Sequence, residues 1–297
     1  MATTKNTAIV LATATAFIWG MSFLSIKAAV AVIPPMSLGL SRFIVASVVL
    51  LVLFAALRKR PRLALRDAPL MAGSALVGYT LYFLGENNGV LLLSASEASI
   101  IVGTIPVLTM LAERLFARTK LSAAQYAGAG LSAVGVTLIV VESLRLSLAP
   151  LGYLYMGFAA LSWVVYAFMT KPLLSKYDSL EVTLWQTLFG AAGFVPFALF
   201  EHIEWAAVTP GIVANVLYLG VFCSALGYLF YIISLKALGA GVSSVFINLI
   251  PVVSVVAAFL IFGERLSPLQ LVGGGVAIGG VYLASLAGGK QKRTDAQ

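Results

Sequence analysis

A chain of 297 residues that is 61% hydrophobic and 10% charged, with a mean hydropathy of +1.02, lies far from soluble domains, which run at roughly 45–50% apolar and 25% charged. No large water-soluble domain fits between its apolar runs. The formal net charge of +8 does not point to nucleic acid, because the basic residues fall in alternate short loops while the aromatics lie inside apolar stretches.

Apolar runs of about 20 residues recur from end to end, each long enough to cross a bilayer. All are expected to be helical, since lipid offers no partner to an unpaired backbone group. Ten spans are expected, at about 7–32, 35–57, 68–92, 96–116, 121–141, 150–171, 179–200, 209–236, 240–262 and 267–287. The first is not expected to be a cleaved signal, since it lacks an early basic cluster and runs on through Ile18-Trp19-Gly20. Breaks fall at Pro34-Pro35, Arg58-Lys59-Arg60-Pro61-Arg62, Arg118-Thr119-Lys120, Pro150, Lys176-Tyr177-Asp178, Pro210, Gly239 and Pro268. With the N-terminus inside, fifteen basic residues collect on the inner side and two, Arg145 and Arg265, on the outer. Both termini are therefore expected in the cytoplasm and the protein in the cell's inner membrane.

The stretch from Gly239 to Leu286 repeats an earlier one at an offset of 145. Ser99 matches Ser244, Ile105-Pro106-Val107 matches Ile250-Pro251-Val252, and Leu121-Ser122 matches Leu266-Ser267. Gln125, Gly128, Gly130 and Gly135 match Gln270, Gly273, Gly275 and Gly280. Nearer the start of each copy the offset is 144: Trp19 matches Trp163, Lys27 matches Lys171, and Arg42 matches Gln186. Residues 1–143 and 144–297 thus read as two five-helix repeats. An odd number of spans makes the second copy enter from the opposite side, so the repeats are expected to be inverted, as in many secondary transporters.

Functional residues are sought among polar and aromatic groups deep in the spans. Trp19 with Ser22 and Trp163 with Tyr166 share one i, i+3 spacing. Tyr79, Tyr82 and Glu86 share a helical face, with Asn87 following. An ionisable residue inside a span is a functional hypothesis by default, and Glu86 is the leading example. Arg42 and Glu86 each lie seven residues from the outer end of their spans, hence about 10 Å deep, where they could pair while remaining available to a zwitterion. The lining extends over Trp185, Gln186, Asn215, Tyr218, Ser224, Tyr228, Tyr231 and Asn248. Tyrosine and tryptophan combine apolar area with one polar tip, which suits a cavity holding varied side chains loosely. Tyr153, Tyr155 and Trp205, near span ends, fit an interfacial belt instead, and Lys27 and Lys171 fit snorkelling lysines.

Pro106 and Pro251 occupy matching helices. As interior prolines they would kink those helices on opposite sides of the membrane, so they are the candidate gates; a static kink that only improves packing is the other reading. Ala124, Gly128 and Ser132, and likewise Gly275 and Gly279, follow small-xxx-small spacing and are expected to pack the last helix of each copy as scaffold. Cys223 stands alone, excluding a disulfide frame. His202, between Glu201 and Glu204, makes a poor metal cage. No cofactor or metal is expected, and no P-loop matching G-x-x-x-x-G-K-S/T occurs.

On Phe17-Ile18-Trp19-Gly20, the matching prolines and the Gly263-Glu264-Arg265-Leu266-Ser267 turn, the chain resembles the EamA branch of the drug/metabolite transporter superfamily, most of all its YddG-type amino-acid exporters. The first copy departs from that turn, with Arg118-Thr119-Lys120 where the acid would sit, so Glu264 reads as a turn residue. The resemblance implies an all-helical polytopic membrane protein that is not an enzyme and exports small metabolites, amino acids foremost, by alternating access. A cationic-drug exporter using Glu86 and the aromatics, or an intramembrane lipid enzyme, are the alternatives. Coupling to protons through Glu86 and simple equilibration both remain open. The expected partners are a small-molecule substrate and the bilayer, with no nucleic acid, and one chain holding both repeats is expected to act as a monomer.

Overall fold

The computed structural model describes residues 4–93, 95–116, 121–141, 150–262 and 268–294. Among the described residues there are helices and turns and no strand. The expected Gly263–Ser267 turn, the Arg118–Lys120 stretch and Arg145 lie outside them.

Helix α1 (Lys5–Val30) starts on Thr4, whose hydroxyl accepts from Thr7 N. Helix α2 (Pro35–Ala56) starts on a proline at its first position, where a missing N–H costs nothing. Helix α3 (Ala68–Ala75) continues through a π-helical stretch, Leu76–Leu81, into α4 (Tyr82–Leu92). Next come α5 (Ala95–Val102), α6 (Ile105–Phe116), α7 (Ala123–Val141) and α8 (Pro150–Thr170). Helix α9 (Ser179–Ala198) carries a capping box, Asp178 accepting from Glu181 N and Glu181 from Asp178 N. Helix α10 (Pro210–Tyr218) passes through a second π stretch, Leu219–Leu226, into α11 (Gly227–Leu238). Helix α12 (Ala240–Val245), a 3₁₀ turn (Phe246–Asn248), α13 (Leu249–Phe262) and α14 (Pro268–Thr294) complete the chain.

Among the described residues, six helical stretches are long and apolar enough to cross a membrane: Lys5–Val30, Pro35–Ala56, Leu65–Leu92, Pro150–Ser175, Pro210–Leu238 and Ala240–Ile261. The expected span 96–116 is divided, because Gly103-Thr104 separates α5 from α6 and leaves pieces of 8 and 12 residues, each below the about 20 a crossing needs.

The proline expectation needs correction. Pro106 is the second residue of α6 and Pro251 the third of α13, so both stand in a first turn, where no intrahelical N–H bond is lost. The breaks lie just ahead of them, at Gly103-Thr104 and at the 3₁₀ turn Phe246–Asn248. The two π stretches fall at matching places as well, Leu76–Leu81 and Leu219–Leu226 being 143 to 145 residues apart at their ends.

Helices α7 and α14 pack backbone to backbone. A Cβ on Gly128 would lie 2.7 Å from Gly280 O, and one on Gly135 would meet Gly273 O at 2.6 Å. As one number rises the other falls, so the helices run antiparallel, and the pairing is reciprocal under the 145-residue offset. The seam also takes Ser132, Ala277 and Ala284. It does not take Gly275 or Gly279, beside whose built Cβ nothing among the described residues lies within 4 Å; the expected stripe on α14 is corrected to Gly273, Ala277, Gly280 and Ala284. The π stretches cross over in the same reciprocal way. Gly220 packs on Val45 of α2, while Thr80 packs on Gly193 of α9 and its hydroxyl donates to Gly190 O at 3.2 Å.

Each end is strapped between the two halves of the chain. At the basic end Lys59 pairs with Asp178 at 3.2 Å and Lys176 with Asp67 at 2.6 Å. There Tyr177 OH also donates to Asp67 at 2.9 Å and accepts from Ala64 N at 3.1 Å. At the opposite end the Glu201 carboxylate accepts from Met36 N at 3.1 Å and Ser37 N at 2.6 Å. These are orphan donors of the α2 N-terminus, where a negative charge is favoured. Lys27 Nζ donates to the carbonyls of Val90, Leu91 and Leu93 near the end of α4 at 2.8, 3.1 and 2.7 Å.

Candidate functional site

A cavity at the centre of the bundle is lined by Trp19, Ser22, Phe23, Arg42, Tyr82, Phe83, Glu86, Val102, Trp163, Tyr228 and Ile250. Its free space is about 20 Å³, room for one or two waters. The space has no room for a solute larger than water.

The π stretches help to build it. A π turn bonds i to i+5 and leaves carbonyls open to other donors. Trp19 Nε1 donates to Cys223 O at 2.9 Å, and Tyr228 OH donates to Gly78 O at 3.2 Å. Each stretch thus orients an aromatic side chain from another helix. Trp19 and Trp163 meet edge to face, with ring centroids 5.2 Å apart. Tyr228 lies 5.5 Å from Trp19 and 5.8 Å from Trp163, and Tyr82 lies 5.1 Å from Trp163. Rings at such distances and angles contribute about 0.5–1.5 kcal/mol per pair beyond their buried area.

Two ionisable side chains complete the wall. Arg42 is 1% exposed. Its Nε donates to Ser224 Oγ at 2.8 Å, its guanidinium carbon stands 4.4 Å from the Phe83 ring centroid, and its buried Nη1 has no acceptor among the described residues. Glu86 is 5% exposed and accepts from Tyr82 OH at 2.7 Å. The two form no ion pair within 4.0 Å, so the expected direct pairing is corrected. Ser224 and the Phe83 face hold the guanidinium, and Tyr82 holds the carboxylate.

Of the residues singled out in the sequence, Trp19, Ser22, Arg42, Tyr82, Glu86, Trp163 and Tyr228 border this space. Others support it from behind. Ser224 holds Arg42, Tyr79 packs 4.3 Å from Tyr228, and Tyr218 OH donates to Ile18 O at 2.7 Å. Tyr231 lies 4.9 Å from Trp163. Several do not border it. Tyr166 OH donates to Gln186 Oε1 at 3.1 Å, and Gln186 Nε2 donates to Ser74 and Thr170 at 2.8 and 2.9 Å, a closed polar network of its own. Trp185 Nε1 donates to Arg62 O at the basic end, Asn87 Nδ2 to Pro35 O, and Asn215 Nδ2 to Gly211 O within α10. Asn248 is fully buried, with neither side-chain polar atom hydrogen-bonded among the described residues. Pro106 and Pro251 adjoin Ile105 and Ile250 at the helix breaks, and Ile250 reaches the cavity.

Phe23, Phe83, Val102 and Ile250 also line the space; none carries a polar side-chain atom, and none is among the residues singled out in the sequence. Phe23 stands one turn from Trp19, a spacing that a full periodicity reading would have used. Glu113 was also passed over. It is 5% exposed on α6 and lies against Gly241 at the start of α12, and a carboxylate inside an apolar helix was signal enough.

The model of the EamA-like transporter family matches this chain twice, over residues 6–141 and 150–286. A Streptantibioticus cattleyicolor protein named "Probable terminal-alkyne amino-acid exporter" is 31% identical over 266 residues, 89% of each chain. An "Uncharacterized transporter" of Archaeoglobus fulgidus is 26% identical over 93% of this chain and 97% of its own. A solved crystal structure superposes with a TM-score of 0.78 at 19% identity, covering 95% of this chain and 98% of the other; at that identity it shows a shared fold alone.

Proposed function

Since the chain belongs to the EamA-like transporter family, and so is a transmembrane transporter rather than an enzyme, we propose that it exports amino acids or closely related metabolites by alternating access through the central cavity. The carrying observation is the joint presence of Arg42 and Glu86 on one enclosed aromatic wall. Arg42 has a buried guanidinium nitrogen without an acceptor among the described residues, and a free carboxylate is the group that a guanidinium binds best. Glu86 supplies the opposite charge for an ammonium group. The name of the Streptantibioticus relative supports the same substrate class. A buried guanidinium on the wall disfavours the alternative of a permanently cationic drug.

In this reading ten spans form two inverted repeats, residues 1–143 and 144–297, with both termini in the cytoplasm of the inner membrane. The two family matches support the repeat, and the antiparallel run of the matching helices α7 and α14 supports its inversion. A space of about 20 Å³ cannot admit an amino acid, so the cavity must widen for substrate to enter. One strapped end must open for substrate to enter and the other for it to leave. The breaks ahead of Pro106 and Pro251 are where α5–α6 and α12–α13 would bend.

The test is transport by purified protein in liposomes, using labelled amino acids with and without a proton gradient. Saturable uptake competed by amino acids but not by their carboxamides is expected. Indifference to every amino acid, with transport of quaternary amines instead, overturns the reading. Insensitivity to the gradient would exclude obligatory proton coupling.

A further inference from the structure

The basic end carries a second, larger hollow that the transport reading does not use. It measures about 640 Å³, and its charged walls are Arg58, Lys59, Arg60, Arg62 and Lys176 with two carboxylates, Asp178 and Glu181. Five cations against two anions leave an excess of three positive charges. The carboxylates are already engaged: Asp178 takes Lys59, and Glu181 accepts from Arg62 N at 3.3 Å and Asp178 N at 3.1 Å. Lys176 is held by Asp67. The side chains of Arg58, Arg60 and Arg62 have no hydrogen bond or ion pair with protein among the described residues.

The backbone beneath those three guanidinium groups is fixed. Arg58, two residues past α2, stands in the left-handed region at φ 52°, and Lys59 N closes the turn on Phe54 O at 3.0 Å. Trp185 Nε1 then donates to Arg62 O at 3.1 Å, and Ala64 N donates to Tyr177 OH at 3.1 Å. The cations are displayed on an anchored loop, so little order is lost when they bind. Apolar groups flank them, Leu57 at 51% and Leu65 at 91% exposure. A free anion has no use for exposed leucines beside a guanidinium cluster, whereas a lipid carries a phosphate and acyl chains together.

We propose that this hollow binds the headgroup of an anionic phospholipid. Arg58, Arg60 and Arg62 hold the phosphodiester, and Leu57 and Leu65 lie along the acyl chains. Guanidinium forks match phosphate oxygens in pairs, and basic pockets between membrane helices take anionic headgroups in this way. Because the loop is tied to the segment before α9 from the other half of the chain, a bound lipid would hold the strap shut at this end.

The test is native mass spectrometry of the full chain with phosphatidylglycerol or phosphatidylcholine. Wild type should retain phosphatidylglycerol at least about fivefold better, and the double variant R60Q/R62Q should lose about tenfold or more of that retention, with R60Q alone losing a smaller part. R60Q breaks no hydrogen bond or ion pair among the described residues, so it keeps the test valid if the double variant fails to fold. Equal retention of the two lipids, or retention of phosphatidylglycerol unchanged in R60Q, overturns the proposal. Displacement of the lipid by millimolar inorganic phosphate would assign the site to a free anion and overturn it too.

Discussion

Trp19 and Trp163 occupy the same position in the two halves of the chain, and they meet edge to face at 89° with ring centroids 5.2 Å apart. Residues that correspond under a repeat touch one another only near the axis relating the copies. The pair therefore places the cavity wall at the centre of the proposed symmetry, where motion of one half against the other is felt first.

Shortening one member should be costly. Trp163 is 2% exposed and packs against Trp19, Tyr82, Tyr228 and Tyr231. We expect Trp163→Ala to lower stability by about 3–5 kcal/mol, and Trp163→Phe by less. Thermal unfolding in detergent measures this. In transport, Trp163→Phe should shift preference toward bulkier side chains; unchanged selectivity would separate the ring from the substrate path.

Arg42 and Glu86 should divide the recognition of a zwitterion. Arg42→Gln is expected to reduce amino-acid uptake by roughly ten- to a hundredfold, since hydrogen bonds to charged groups are worth about 1.5–3 kcal/mol. It should leave an amine without a carboxylate much less affected. Glu86→Gln should show the reverse pattern, and Ser224→Ala, which removes only the Arg42 Nε acceptor, should fall between wild type and Arg42→Gln. Competition assays in liposomes distinguish these; equal losses for all ligands would reduce both charges to structural parts.

The α7–α14 seam offers a contrast within one helix. Gly280→Leu should destabilise severely, because its Cβ alone would lie 2.5 Å from Gly128 O; overpacking typically costs about 1–3 kcal/mol even where side chains can yield, and a backbone atom cannot. Gly279→Leu, facing open space, should be tolerated. Comparing expression and unfolding temperature of the two variants checks the seam directly. Similar behaviour would mean that another face of α14 is packed.

Glu201 is expected to hold the end opposite the basic loop. Glu201→Gln keeps one acceptor but removes the charge facing Met36 N and Ser37 N, for a loss of about 0.5–1 kcal/mol. Glu201→Ala should cost more, by leaving two helix N–H groups without their acceptor. Hydrogen exchange at the start of α2 reads the effect; protection unchanged in Glu201→Ala would show that the clamp is idle.

Hydropathy and proline and glycine positions already carried the helical class and the membrane-spanning character, and the 145-residue offset carried the proposed duplication with Trp19 and Trp163 as its equivalents. These are local or additive properties of the chain, and lipid enforces helix on any apolar run. Which face of each helix packs was not legible. In a membrane helix the lipid side is as apolar as the core, so the amphipathic signal that reveals a buried face in soluble proteins is weak. That is why Gly275 and Gly279 read as well as Gly273 and Gly280, and why Phe23 and Phe83 were missed. The contacts of the π turns and the holding of Arg42 by Ser224 rather than by Glu86 join residues up to 204 positions apart, and only tertiary packing decides those.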